Sequence, residues 1–184
     1  TVVLTEGMLE TILRMFNMTT LSLATFIRGI ALAELGRIEN GITVIRDGID
    51  VFEKFGAQVF LAPHYNSLGY CYGEIYQIDK AWEYNLKSEE IARRLFLKYP
   101  MGRGQSGHAL GQAETSLVEN LFDLGKMDTA LERIETIQQE AISKDFFHNR
   151  YQWESRMNYI AAQILLQRND LDQAETIIRE NLEM

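Results

Sequence analysis

The sequence predicts an all-α fold in which antiparallel helix pairs stack into a solenoid. A short phrase recurs four times: LGRIENGI at 35–42, IYQIDKAW at 75–82, LGKMDTAL at 124–131 and RNDLDQAE at 168–175. Successive copies start 40, 49 and 44 residues apart, and a fixed element returning at such intervals marks a helical repeat array. Apolar residues step by three and four around the copies, strand-type alternation is absent, and only two prolines, Pro63 and Pro100, interrupt the chain.

The periodicity predicts about nine helices, at roughly 3–15, 19–35, 39–55, 61–76, 79–97, 107–124, 128–143, 147–167 and 171–183. Ile42, Ile45, Ile49 and Phe52 form the stripe of the helix after the first phrase, and Tyr65, Leu68, Tyr72 and Ile75 that of the helix before the second. Leu117, Leu121 and Leu124 precede the third phrase; Ala130, Ile134, Ile137 and Ala141 follow it. The phrase itself is the turn between paired helices. Gly36 and Gly125 suit a helix C-terminus that ends in a left-handed residue. Asp79, Asp128 and Asp170 are placed to cap the next helix, and Asp170 with Gln173 has capping-box spacing. Gly41, Ala81, Ala130 and Ala174 are small enough for two backbones to approach closely. One pair cannot bury its stripe alone, so neighbouring pairs must share a continuous core.

Bulk properties narrow the function. The 184 residues read as one domain, 1–184, with the composition of an ordinary globular chain: 46% hydrophobic and 24% charged. The chain begins without Met and stops just after a helical pattern, so it reads as a piece of a longer protein. No apolar run reaches the roughly 20 residues that span a membrane, and Thr1-Val2-Val3-Leu4 lacks a signal-peptide pattern. A net charge of -8 argues against nucleic-acid binding, which needs a basic surface. Residues 1–100 carry 10 basic and 12 acidic side chains and residues 101–184 carry 8 and 14, so the acidity is mostly C-terminal. A single cysteine, Cys71, excludes an internal disulfide and a cysteine zinc cluster; within its apolar helical pattern it reads as a structural thiol, and a cytoplasmic location is expected.

Within the repeat, Leu68-Gly69, Tyr72 and Ala81 resemble the tetratricopeptide motif: a small residue, an aromatic three positions on, and a second small residue nine positions later. Gly29, Leu32 and Gly41, Val118, Leu121 and Ala130, and Ala162, Leu165 and Ala174 match it less fully. The motif's terminal proline is missing, and Asn85 stands where the family prefers an aromatic. The resemblance implies a right-handed superhelix. From Phe26 to Leu95 the chain also resembles the C-terminal helical repeats of large bacterial signalling proteins, which join them to an ATPase module and often to a cyclase, kinase or DNA-binding domain. That implies a sensory or scaffolding arm, and none of those domains' motifs is present here.

In tetratricopeptide arrays the first helix of each repeat lines a concave groove. Carried over, the groove positions are Asn66 and Tyr70, then Gln112, Thr115 and Glu119, then Arg156, Tyr159 and Gln163. The N-terminal repeat offers the apolar Leu23, Phe26 and Ile30, a face suited to a missing neighbour, to self-association or to an apolar ligand helix. A lysine-rich carboxylate clamp is lacking. The expected function is a protein-interaction scaffold holding a peptide or protein domain, with Asn66, Gln112 and Gln163 fixing register and Tyr70, Tyr159 and Arg156 supplying most of the energy. The alternative is a small-molecule or signal-peptide sensor whose ligand alters solenoid curvature.

No cofactor, metal or enzymatic activity is expected. Gly102 to His108 is glycine-rich but lacks the lysine and preceding strand of a phosphate-binding loop, so it reads as a flexible connection. His64, His108 and His148 are separated by 44 and 40 residues, which the repeat explains, and none has ligand spacing to an acid or histidine. Glu89-Glu90, Asp170 and Asp172 read as solvated charges. Tyr65, Tyr72 and Tyr76 are expected in the core, with Tyr70 pointing elsewhere.

Overall fold

A computed structural model describes residues 6–98, 103–144 and 150–183. Among them run eight α-helices and no strand: α1 (Glu6–Glu34), α2 (Ile38–Lys54), α3 (Leu61–Glu74), α4 (Ile78–Lys98), α5 (Arg103–Asp123), α6 (Met127–Lys144), α7 (Arg150–Gln167) and α8 (Leu171–Glu183), with a 3-10 turn at Gln58–Phe60 leading into α3. The helix boundary expected between 15 and 19 is absent, and α1 runs unbroken through it. No glycine or proline interrupts that stretch, and Thr19 returns its hydroxyl to the Met15 carbonyl at 3.0 Å, the usual accommodation of a threonine inside a helix. The supposed flexible connection at 102–108 is also corrected. Arg103 to His108 form the first turns of α5, where Ser106 and Gly107 are buried, because glycine lets a helix start tuck closely against its neighbours. Gly102, Pro100, His148 and the predicted start of the helix at 147 lie outside the described residues.

The recurring phrase is one structural device used four times. Its second residue is left-handed in every copy: Gly36 (φ 74°), Tyr76 (φ 56°), Gly125 (φ 70°) and Asn169 (φ 60°). The following amide then reaches back across the turn, Arg37 to Leu32 O at 2.8 Å, and Gln77 to Tyr72 O, Lys126 to Leu121 O and Asp170 to Leu165 O at 2.9 Å each. These bonds close off carbonyls that the helix end would leave unpaired. Tyr76, expected in the core, is instead 88% exposed, since a left-handed turn aims its side chain into solvent. Asp170 Oδ1 accepts from the Gln173 amide at 3.3 Å, the expected cap. Asp79 and Asp128 sit inside the first turns of α4 and α6, where a negative charge favours the helix dipole.

Every helix packs on the next, and α1, α3, α5 and α7 also touch one another in succession, whereas the even helices pack chiefly on their odd neighbours. The odd helices therefore form the tighter, inner layer of the stack. Glycines set its closest crossings. A Cβ on Gly41 of α2 would stand 2.6 Å from the Gly29 carbonyl oxygen of α1, and one on Gly111 would stand 2.5 Å from the Trp153 ring. At the equivalent place in later pairs, Ala81, Ala130 and Ala174 are buried. Two apolar clusters fill the interior, one around Phe52 and Leu68 and one around Phe96, Leu121 and Trp153, with Ile91 packed against both. Each such side chain contributes about 1.5–3 kcal/mol by burial.

Several polar side chains inside the stack are paired with one another. Asn85 of α4 lies against Gly69, accepts from Asn66 Nδ2 at 3.1 Å and donates to Asn120 Oδ1 at 2.9 Å, tying α3, α4 and α5 together. That explains its departure from an aromatic: with glycine opposite, an amide fits the gap and bridges three helices. Glu114, almost wholly buried on α5, accepts from Arg93 at 2.9 Å and Arg133 at 2.7 Å, while Arg93 also pairs with Glu140 and Glu89. Burial raises the Glu114 carboxyl and the two arginines oppose that rise. His64 is enclosed among α1, α2 and α3, with Nε2 2.8 Å from Thr25 Oγ1 and Nδ1 2.8 Å from the Phe60 carbonyl; burial lowers its pKa. Cys71 is likewise buried, which pushes its thiol up to about 11 and keeps it protonated.

Candidate functional site: a groove across the odd helices

The groove follows from unequal helix lengths. α1 has 29 residues and α5 has 21, but α3, between them, has only 14 and begins late, behind the turn at Gln58–Phe60. Pro63 fits in the first turn of α3, where no amide partner is needed. The missing turns of α3 leave a cavity of about 650 Å³. Thr19, Ser22, Leu23 and Phe26 of α1 form one wall, and His108, Ala109 and Gln112 of α5 the other; Val59, Pro63 and Asn66 close the end, and Ala92 and Leu95 of α4 also line it. None of the described lining residues is charged, in a chain where 24% are.

Of the residues expected in the groove, Leu23, Phe26, Asn66 and Gln112 line this one cavity. Asn66 is held from behind by Asn85 and by Ser116 Oγ at 2.9 Å, so its amide oxygen is the group left over. Gln112 links the cavity to the α5–α7 surface. Its Oε1 accepts from Arg156 at 3.1 Å, and Arg156 also pairs with Glu119 at 2.5 Å. Burial raises the Glu119 carboxyl, against the pull of Arg156. Tyr159 is 62% exposed one turn along α7, with Gln163 Nε2 3.3 Å from its hydroxyl. Leu23, Phe26, Asn66, Gln112, Arg156 and Tyr159 thus mark a strip that passes from α1 to α7, apolar at one end and polar at the other.

Three of the expected positions stand apart. Thr115 is fully buried, donates to the Gly111 carbonyl at 2.8 Å and lies against α7, so it lines no surface. Three residues after Gln112 the helix has turned by about 60°, which carries Thr115 from the groove into the α5–α7 contact. Tyr70 is half-buried and donates to the Glu34 carboxylate; burial, then that bond, raises its pKa. Ile30 is partly buried on α1 and outside the cavity. His108 was set aside as a metal ligand, yet it lines the groove. Burial lowers its pKa and leaves Nδ1 without a hydrogen-bond partner. No group of three metal-ligating side chains occurs among the described residues, and no described helix is long and apolar enough to cross a membrane.

No protein-family model matches the chain, and no curated protein matches it. Among solved structures it is similar to nearly identical TPR-like repeats of a Podospora anserina kinesin light chain, at 10% identity and a TM-score of 0.37, covering 87% of this chain and 92% of that one. The fold is an all-helical repeat stack, with antiparallel pairs, small residues at the crossings and an inner layer of odd helices.

Proposed function

We propose that this chain is a non-enzymatic protein-interaction module that holds a peptide or protein segment along its odd-helix layer. The uncharged cavity between α1 and α5 carries the proposal, because it combines apolar walls with two side-chain amides, Asn66 and Gln112. Apolar walls supply the energy of burial, and the amides fix the register of a peptide backbone. Arg156 and Tyr159, next along the strip, are residue types that dominate interface energies. Selection from a displayed peptide library tests this directly. Enriched peptides are expected to be apolar and low in charge at their centre, and to lose binding to Phe26→Asp and Gln112→Ala while still binding Lys80→Ala on α4. Peptides indifferent to the first two changes would place the partner elsewhere.

The resemblance of residues 26–95 to the repeats of large signalling proteins supports the finer reading, a cytoplasmic bacterial arm that regulates attached effector or transcription modules. A sensor of small ligands is the second reading, favoured by the cavity's volume, which falls within the range of about 300–1,000 Å³ of small-molecule sites. Metabolites that raise the melting temperature when the selected peptides do not would favour the sensor.

A further inference from the structure

The cavity between α1 and α5 holds polar atoms that no other protein group uses. Ser22 of α1 lines it and is only 8% exposed, yet among the described residues nothing bonds its hydroxyl. Two serines buried elsewhere in the stack spend theirs on carbonyls, Ser67 on that of Pro63 at 2.8 Å and Ser88 on that of Ala62 at 2.7 Å. On the opposite wall, neither ring nitrogen of His108 has a protein partner among the described residues, and Nδ1 is buried. Burial lowers the pKa of that ring, and no other described lining residue is titratable, so the imidazole is neutral near pH 7 and keeps a lone pair as an acceptor. At the end of the cavity Asn66 has committed its amide nitrogen to Asn85 and Ser116, which leaves its oxygen as a second acceptor. Covering such acceptors without supplying a donor is costly, and that restricts what the cavity takes.

A charged guest would leave water for walls that, among the described lining residues, carry no counter-charge. A purely aliphatic guest suits Phe26 and Leu95 but seals Ser22 and His108 away from water with nothing bonded to them. A carboxamide side chain supplies the donor and leaves most of a cavity of about 650 Å³ unfilled. Tyrosine and tryptophan join a large, rigid apolar body to one neutral donor, and so meet both demands. We propose, on the reading of the groove as a peptide site, that the bound segment inserts a tyrosine or tryptophan side chain into this cavity, its ring on the apolar walls and its O–H or N–H donated to the His108 imidazole. His108 then selects the side chain, and the Asn66 oxygen and Ser22 hydroxyl remain for the segment's backbone amides.

Titration of the 15N-labelled chain with the N-acetyl amides of tyrosine, tryptophan, phenylalanine and leucine tests this, read from the amide shifts of Ser22, Phe26, Asn66 and His108. The tyrosine amide is expected to bind roughly 3–10-fold more tightly than the phenylalanine amide, the worth of one buried hydrogen bond, with the tryptophan amide also ahead of phenylalanine. In His108→Phe, which keeps a ring and removes the acceptor, the advantage of tyrosine over phenylalanine is expected to vanish; His108→Gln, which keeps an acceptor, is expected to restore it. Equal binding of the tyrosine and phenylalanine amides to the wild-type chain overturns the proposal, whether or not the variants fold. So does a leucine amide that binds best, or a tyrosine advantage that survives in His108→Phe. If no amide shifts these residues while a library-selected peptide does, the aromatic guest is wrong and the groove stands as a peptide site. If the selected peptide shifts none of them either, the peptide site falls as well.

Discussion

Replacing Gly41 by alanine sets two opposed effects against each other. In the interior of a helix, glycine to alanine is ordinarily favourable by up to ~1 kcal/mol, through lower backbone entropy in the unfolded chain. At Gly41 the new methyl would stand 2.6 Å from the backbone oxygen of Gly29 and 3.4 Å from the Ala33 amide. Backbone atoms cannot swing aside as a side-chain tip can, so α1 and α2 must separate. Their separation loosens Ile45 and Ala33, which pack in the same seam. Overpacking of this kind costs about 1–3 kcal/mol, and with rigid atoms on both sides the upper half applies. The expected net loss is ~1–2 kcal/mol, or roughly 2–8 °C in Tm for a domain of this size. Gly73, in the last turn of α3 with nothing within 4 Å of the added methyl, is the control. Gly73→Ala is expected to melt at or above the wild-type temperature. Thermal unfolding followed by circular dichroism measures both, and a Gly41→Ala protein as stable as the Gly73→Ala protein would refute the close crossing.

Tyr76→Gly is expected to stabilise the protein by ~0.5–1 kcal/mol, since it relieves a left-handed backbone and gives up only an exposed ring; urea unfolding checks it. Asn85→Ala is expected to cost about 1–3 kcal/mol in the same assay, because the buried Asn120 amide oxygen loses its donor and a void opens beside Gly69. His64 is expected to titrate below 6.5 in the folded chain by NMR of its ring protons, because burial disfavours the imidazolium. Between that lowered value and 6.5 the unfolded state binds the proton and the folded state does not. The contribution of His64 is thus full above about 6.5 and declines as the pH falls through that window.

The phrase made the turns legible because its residues act locally: a left-handed residue closes each helix, and a small one marks each crossing. The groove was legible only in part. Leu23 with Gln112 and Phe26 with Asn66 sit at two equivalent registers of the odd helices, a property the sequence carries, and all four line the one cavity. Thr115 was misplaced because the sequence shows which residues share a face but not where a neighbour covers it. The helix boundary near residue 17 was misread because threonine is a weak stop signal when its hydroxyl finds a carbonyl within its own helix. The pairs of Glu114 with Arg133 and of Arg93 with Glu140 join residues 19 and 47 positions apart, and His108 shares its cavity with α1 residues still further off, so no local pattern marks them.

Amide shift mapping of the 15N-labelled chain with a library-selected peptide locates the bound segment residue by residue. Perturbations are expected to cluster on residues 19–26, 59–66 and 106–112, with weaker ones at Arg156 and Tyr159. Perturbations confined to the even helices, such as those around Lys80, Lys87 and Glu132, would contradict binding in the groove.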